Sequence, residues 1–200
     1  KLLKESNDKL SKEWSGQNLE NKTLLVLDEG ADGNLIHFIR FIRELKKESC
    51  KVLVQCSEEA QTLIDNQKWI DKAIAADEFP EHDFYIPIGS LMNVLKYNPN
   101  HHEQIFPYID VQADKISKDD TEQVHIGLVF ETDRNSNAHD DESIDQGLFE
   151  NIFNEEHNVI CLDKYVTNET LPVYCSKHIS YSNLQDLSTV ISNLDLIITV

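Results

Sequence analysis

The sequence predicts an α/β protein with two Rossmann-like halves in succession, each a parallel sheet flanked by helices, the second half cut short. Three observations predict it. Short apolar runs alternate with amphipathic segments of helical spacing, the pattern of βαβ units. A polar stretch with two prolines, 97–120, interrupts this alternation. A second alternation then opens at VHIGLVF (124–130) and ends on DLIITV (195–200).

The elements follow in order. Residues 1–13, KLLKESNDKLSKE, set Leu2, Leu3 and Leu10 among charges and predict a helix with a narrow apolar stripe, able to cap a preceding repeat. TLLVL (23–27) and KVLVQC (51–56) are strands, joined by a helix over 35–47 in which Leu35, Ile36, Ile39, Ile42 and Leu45 recur at helical spacing. A second helix starts after Ser57, whose hydroxyl suits an N-cap ahead of Glu58 and Glu59. Strands at 72–76 and 83–88 and a short helix at 89–95 complete the first set. In the second set, VHIGLVF is followed by the loop ETDRNSNAHDDES (131–143), a helix at 148–153, a strand at 158–162, a helix at 183–194 and the last strand. The predicted division is a lead-in segment 1–20, a first domain 21–115 and an incomplete second domain 121–200.

Composition excludes several functions. With 36 Asp and Glu against 18 Lys and Arg, the net charge is −18, which argues against nucleic acid and against anionic membrane surfaces. At 200 residues and 40% hydrophobic the chain buries a substantial core. No apolar run approaches the roughly 20 residues of a membrane-spanning helix. The four cysteines form no CxxC pair, and Cys56 and Cys161 sit in apolar runs, so buried free thiols and a reducing cytoplasm are expected. The chain begins without Met and ends on a strand-like run, which predicts a piece of something longer.

Five segments then carry a resemblance. Trp14-Ser15-Gly16 precedes the first strand. DEGADGNLIHFIRF (28–41) forms a turn and helix. HDFYIPIGSLMNVL (82–95) is followed by Phe106-Pro107-Tyr108-Ile109, then by VHIGLVF and by LQDLSTVISNLDLIITV (184–200). In order and spacing these segments resemble the glycosyltransferase-B-fold region that follows tetratricopeptide repeats in bacterial proteins, related to the heptosyltransferases and distantly to O-GlcNAc transferase. The resemblance implies sugar transfer from a nucleotide-sugar donor to a protein or glycan acceptor in an interdomain cleft, without a cofactor or metal, and a protein partner reached through preceding repeats. The chain also departs from the pattern. The family's Gly-Asp becomes Gly33-Asn34, so the acid falls at Asp32 or is lost, and the family's Arg-Ser becomes Glu142-Ser143. Asn34 has no titratable proton near neutral pH. These departures support an alternative, a catalytically silent binding or scaffold module.

The candidate site follows from both sources. Gly30, Gly33 and Asn34 make either a backbone cradle for a substrate or a plain βα turn that needs positive φ. Asp32 and His37 are the candidate catalytic residues, while Arg40, Ser143 and Lys164 complete the candidate substrate contacts. His101-His102 and the acidic loop 131–143 read as solvated loops rather than metal sites, since the loop lacks the frame of a calcium-binding turn.

Overall fold

In a computed structural model, residues 10–30, 32–45, 49–98, 107–111, 123–130, 145–164, 166 and 169–199 are described. The chain divides into two compact units, 1–110 with 183–185 and 111–182 with 186–200.

The first unit is a five-stranded parallel sheet. Its strands are β1 (Lys12–Glu13), β2 (Thr23–Leu27), β3 (Lys51–Cys56), β4 (Lys72–Ala75) and β5 (Phe84–Pro87), in the order β1-β5-β2-β3-β4. Alternation along the strands loads two cores. Leu24, Val26, Val52, Val54, Ala73 and Ile86 enter the larger one, together with Leu35, Ile39, Ile42 and Ile64 from helices. Leu25, Leu27, Leu53 and Ile74 enter a smaller one, closed by Leu10, Phe79 and Tyr85. The sheet is therefore buried on both faces, as parallel sheets require.

Between β2 and β3 the chain forms α1 (Asp32–Phe38), a 3-10 turn (Ile39–Phe41) and α2 (Ile42–Leu45). The continuous helix expected over 35–47 is thus interrupted, with Ile39, Phe41 and Ile42 all buried through the break. After β3, Ser57 caps α3 (Glu58–Asp65), its hydroxyl accepting from Ala60 N–H at 3.2 Å. After β5 come a 3-10 turn (Ile88–Ser90) and α4 (Leu91–Val94).

Two expectations need correction here. Lys12–Glu13, placed in a helix by the sequence, is an edge strand paired in parallel with β5; residues 1–9 lie outside the described residues. Its side chains are exposed, so only backbone hydrogen bonds specify it, and these leave no hydrophobic pattern. Residues 107–110 are not free linker. Tyr108 and Ile109 pack on the larger core, and Gln67 clamps Asp110, its Oε1 accepting from Asp110 N–H at 2.8 Å while its Nε2 donates to Asp110 O at 3.2 Å.

The second unit is a four-stranded parallel sheet of β6 (Val124–Val129), β7 (His157–Cys161), β8 (Lys177–His178) and β9 (Leu196–Thr199), in the order β8-β7-β6-β9. Leu128, Phe130, Val159, Cys161, Val166 and Cys175 form its core with Phe149. The helix expected at 148–153 is instead a 3-10 turn (Gln146–Phe149), because Phe149 faces inward while Leu148 and Ile152 stay exposed. Helix α5 (Leu184–Ile191) precedes β9. A Cβ on Gly127 in β6 would lie 2.5 Å from Leu194 Cδ1 and 2.8 Å from Leu162 Cδ1, so a side chain there would have to displace both leucine methyls.

One device recurs at the starts of strands. Asp71, one residue before β4, donates its N–H to Val52 O at 3.0 Å while its carboxylate accepts from Val52 N–H at 2.7 Å. Asp83, before β5, closes the same ring with Thr23, both bonds at 2.9 Å. Asp195, before β9, closes it with His125 at 2.9 and 3.0 Å. Each ring satisfies an N–H that lies ahead of the ladder and pins the register of two parallel neighbours.

Replacing Asp71 by Ala is expected to lower unfolding stability by about 1–2 kcal/mol in urea titrations with an unchanged m-value. Asp71→Asn, which keeps an acceptor oxygen, is expected to lose less. The bond from Thr23, followed by the one from Lys22, holds the Asp83 carboxyl below its ordinary value of 3.8. A group whose folded pKa is depressed stabilises above its unfolded pKa and loses that contribution as pH falls through the folded value. Acid titration of stability is therefore expected to be shallower in Asp83→Asn than in the parent below about pH 4.

Candidate functional site

Strand order reverses in the first sheet at β2. The chain proceeds from β2 to β3 and β4 on one side, then returns to place β5 on the other. The carboxyl ends of β2 and β5 therefore splay their following loops apart, the geometry at which open α/β sheets receive ligands. The turn after β2, 28–34, stands at this edge.

Gly30 takes φ +84, a backbone conformation that favours glycine, and it lets the chain swing from strand to helix. Gly33 has no such role. It lies within α1 without positive φ, and a Cβ there would meet nothing within 4 Å. The expectation that both glycines serve the turn holds for Gly30 alone.

The acids of the turn are engaged by the chain itself. Glu29 Oε2 accepts from Gly89 N–H at 2.9 Å, tying the loop after β2 to the loop after β5 across the reversal. A Cβ on Gly89 would stand 2.7 Å from that oxygen, so glycine is what admits the carboxylate. Asp32 Oδ2 accepts from the Ser57 hydroxyl at 2.9 Å. Ser57 thus joins the first turn of α1 to the first turn of α3 while capping the latter. Gly33 and Asn34 are exposed on the first turn of α1.

His37 and Arg40 come together, His37 Nε2 lying 3.0 Å from Arg40 Nη2. Arginine has no acceptor, so the imidazole accepts through Nε2 and carries its proton on Nδ1. In this arrangement His37 has no open lone pair, and acting as a base requires breaking the Arg40 contact. The Arg40 guanidinium lies 5.1 Å from the Phe41 ring and 5.7 Å from the Tyr108 ring, within cation–π range.

Beneath the edge, burial and then the carboxylates of Asp28, Asp32 and Asp65 push the Cys56 thiol up to about 12. It is a neutral core thiol and no nucleophile.

In the second unit the reversal falls between β6 and β9. The chain leaves β6 at Phe130, whose N–H donates to Asp163 Oδ2 at 3.2 Å. Asp163 is buried, and its backbone oxygen also meets His178 Nε2 at 2.9 Å. It therefore braces the carboxyl end of β6 rather than facing a ligand. Lys164, next in sequence, is exposed. Ser143, with the acidic loop and His101-His102, lies outside the described residues. Burial pushes Cys161 up to about 12 and Cys175 up to about 11. All four cysteines are free and buried, an outcome the sequence expects of Cys56 and Cys161 from their apolar context. Among the described residues, no group of three or more His, Cys, Asp and Glu side chains is arranged to hold a metal ion.

Sequence reasoning missed Ser57 as the partner of Asp32 and Gly89 as the partner of Glu29. The cap pattern at Ser57 was a usable signal for the first; nothing local marked the second.

The sequence matches no protein-family model and no curated protein. Among solved structures, the chain is similar to the iron-containing dodecameric glycosyltransferase TibC from enterotoxigenic E. coli. The TM-score is 0.64 at 11% identity, over 92% of this chain and 54% of that one. This chain spans about half the length of that structure. The likeness is one of fold, an α/β arrangement that in this chain has two helix-flanked parallel sheets.

Ser57→Ala removes a cap and the Asp32 contact together, and it is expected to cost about 1–2 kcal/mol by chemical denaturation. Thiol titration of the native protein at pH 8 is expected to show no fast-reacting cysteine, and all four thiols after unfolding.

Proposed function

We propose that this chain is a glycosyltransferase-related protein, binding an acceptor at the carboxyl edge of the first sheet and a nucleotide-sugar donor at that of the second. What carries the reading is the strand order. Both sheets reverse direction at their first long strand, and in the first unit the reversal edge bears the Gly30 turn and the exposed first turn of α1. In this reading Asn34 and Arg40 orient the acceptor by hydrogen bonds, and the family resemblance assigns Lys164 and Ser143 to donor contacts. Asp32 and His37 are the candidates for proton transfer.

A second reading, a binding or scaffold module that has kept the fold and lost the chemistry, is favoured by one observation. Both candidate proton carriers are engaged within the protein, Asp32 by Ser57 and His37 by Arg40. Asn34, aligned with the acid of the resembling family, carries no proton to give or take.

A thermal-shift screen of the full-length protein against UDP-, GDP- and ADP-sugars separates these readings when paired with a transfer assay. Stabilisation by one nucleotide sugar, with transfer that falls at least tenfold in His37→Ala or Asp32→Asn, is the expected result for the enzyme. Stabilisation without transfer supports the silent module. No shift with any nucleotide sugar removes both the donor site and the first reading.

A further inference from the structure

The second unit carries an apolar surface at the end opposite its carboxyl edge. The segment 146–153 leads into β7, and the segment 171–175 leads into β8; both therefore stand at the amino ends of the strands. Aromatic rings hold the two segments together. Phe149 and Phe153 stack with centroids 6.1 Å apart, and Tyr174 lies 6.2 Å from the first and 5.6 Å from the second. Phe153 also meets the edge of His157, which pairs with Val124 across β6 and β7.

Around this aromatic centre the neighbouring apolar side chains face solvent. Leu148 is 67% exposed, Ile152 57%, Val173 94% and Val124 41%. Single exposed apolar residues need no explanation, but here four flank one ring cluster, two of them at i and i+4. The ionised groups nearby are mostly of one sign. Over 145–178 the exposed carboxylates are Asp145, Glu150, Glu155, Glu156 and Glu169, against the cations Lys164 and Lys177.

We infer that this surface docks a basic amphipathic helix of a partner protein. Its apolar stripe would cover Leu148, Ile152 and Val173, and its Lys or Arg flanks would meet the carboxylates of Glu150, Glu155 and Glu156. Charge selects this occupant over the others. A second copy of the chain brings a net charge of −18 to an acidic rim. An anionic membrane is repelled for the same reason. The chain's own segment 131–143 carries five acids and one arginine, so it is repelled as well. The surface lies at the amino ends of the strands, so docking there leaves the carboxyl edge of this sheet open.

The probe is a fluorescent helical peptide of about 18 residues with Leu on one face and Lys on the other, read by anisotropy at physiological salt. A scrambled peptide of the same composition, without an apolar face, is the control. Saturable binding is expected, at least tenfold weaker for the scrambled peptide. It is also expected to be at least tenfold weaker for the triple variant Leu148→Ser, Ile152→Ser, Val173→Ser, which changes only exposed positions and whose folding is checked by circular dichroism. Equal binding of both peptides, or a triple variant that binds like the parent, would overturn the proposal in favour of plain acidic attraction. Sedimentation of the parent as a dimer that the triple variant abolishes would overturn it in favour of a second copy. The sugar-nucleotide screen is unaffected by either outcome, so this proposal and the enzymatic one fail separately.

Discussion

In a parallel sheet the register between neighbours is set where the ladder begins, and in both units of this protein an aspartate closes that first rung. Asp71, Asp83 and Asp195 each give an N–H to a strand neighbour and take that residue's own N–H back on the carboxylate. A slip by one residue would exchange the two faces of a strand, and the first sheet is buried on both, the second along the middle of β6 and β7, while β9 stays largely exposed. The cost of a slip is then large, but so is the number of near-equivalent apolar registers among Val, Ile and Leu. A short charged acceptor at a fixed position disfavours a slip by one residue, because that slip turns the facing N–H toward the other neighbouring strand. Between β7 and β8 a serine does related work: Ser176 sends its N–H to Val159 O at 2.8 Å, while its hydroxyl lies 2.5 Å from Asn158 Oδ1 and 2.9 Å from Val159 O.

Register at the amino ends determines what meets at the carboxyl ends. With β2 and β5 held in step by Asp83, Leu27 stands beside Pro87, and the residues that follow each of them are brought together. Glu29 then reaches Gly89, sixty positions away in the chain. The same logic runs through β2 and β3, whose succeeding helices are joined by Asp32 and Ser57. The candidate site is therefore a consequence of the ladder, and its carboxylates act first as connectors between loops.

This explains which features the sequence displayed. Strands buried on both faces read as unbroken apolar runs, so TLLVL, KVLVQC, VHIGLVF and NVICL were visible without alignment. The edge strands at Lys12–Glu13 and Lys177–His178 were not, because two polar residues apiece, three of the four exposed, carry no apolar face. The stretch 148–153 reads as a helix in the sequence, yet Leu148 and Ile152 face outward rather than into a core. Gly30 was legible as a turn glycine, whereas Gly33, next to it in the motif, turned out to need no special backbone. The strand-leading aspartates were not legible, since an acceptor for a backbone N–H on another strand leaves no periodic trace.

The acidity of the turn after β2 takes on a different meaning in this light. From the sequence, Asp28, Glu29 and Asp32 argue that a phosphate is repelled, and their field does oppose one. Their placement adds a second argument, about availability rather than charge. Glu29 spends an oxygen on Gly89, and Asp32 spends one on Ser57, each joining two segments that follow neighbouring strands. His37 spends its only lone pair on Arg40. To act as a base His37 has to give up the Arg40 contact, whereas Asp32 and Glu29 each keep a second carboxylate oxygen for an incoming hydroxyl. The carboxylates that could meet a substrate are thus also the ties that shape the edge, so availability joins net charge in deciding what chemistry this edge can host.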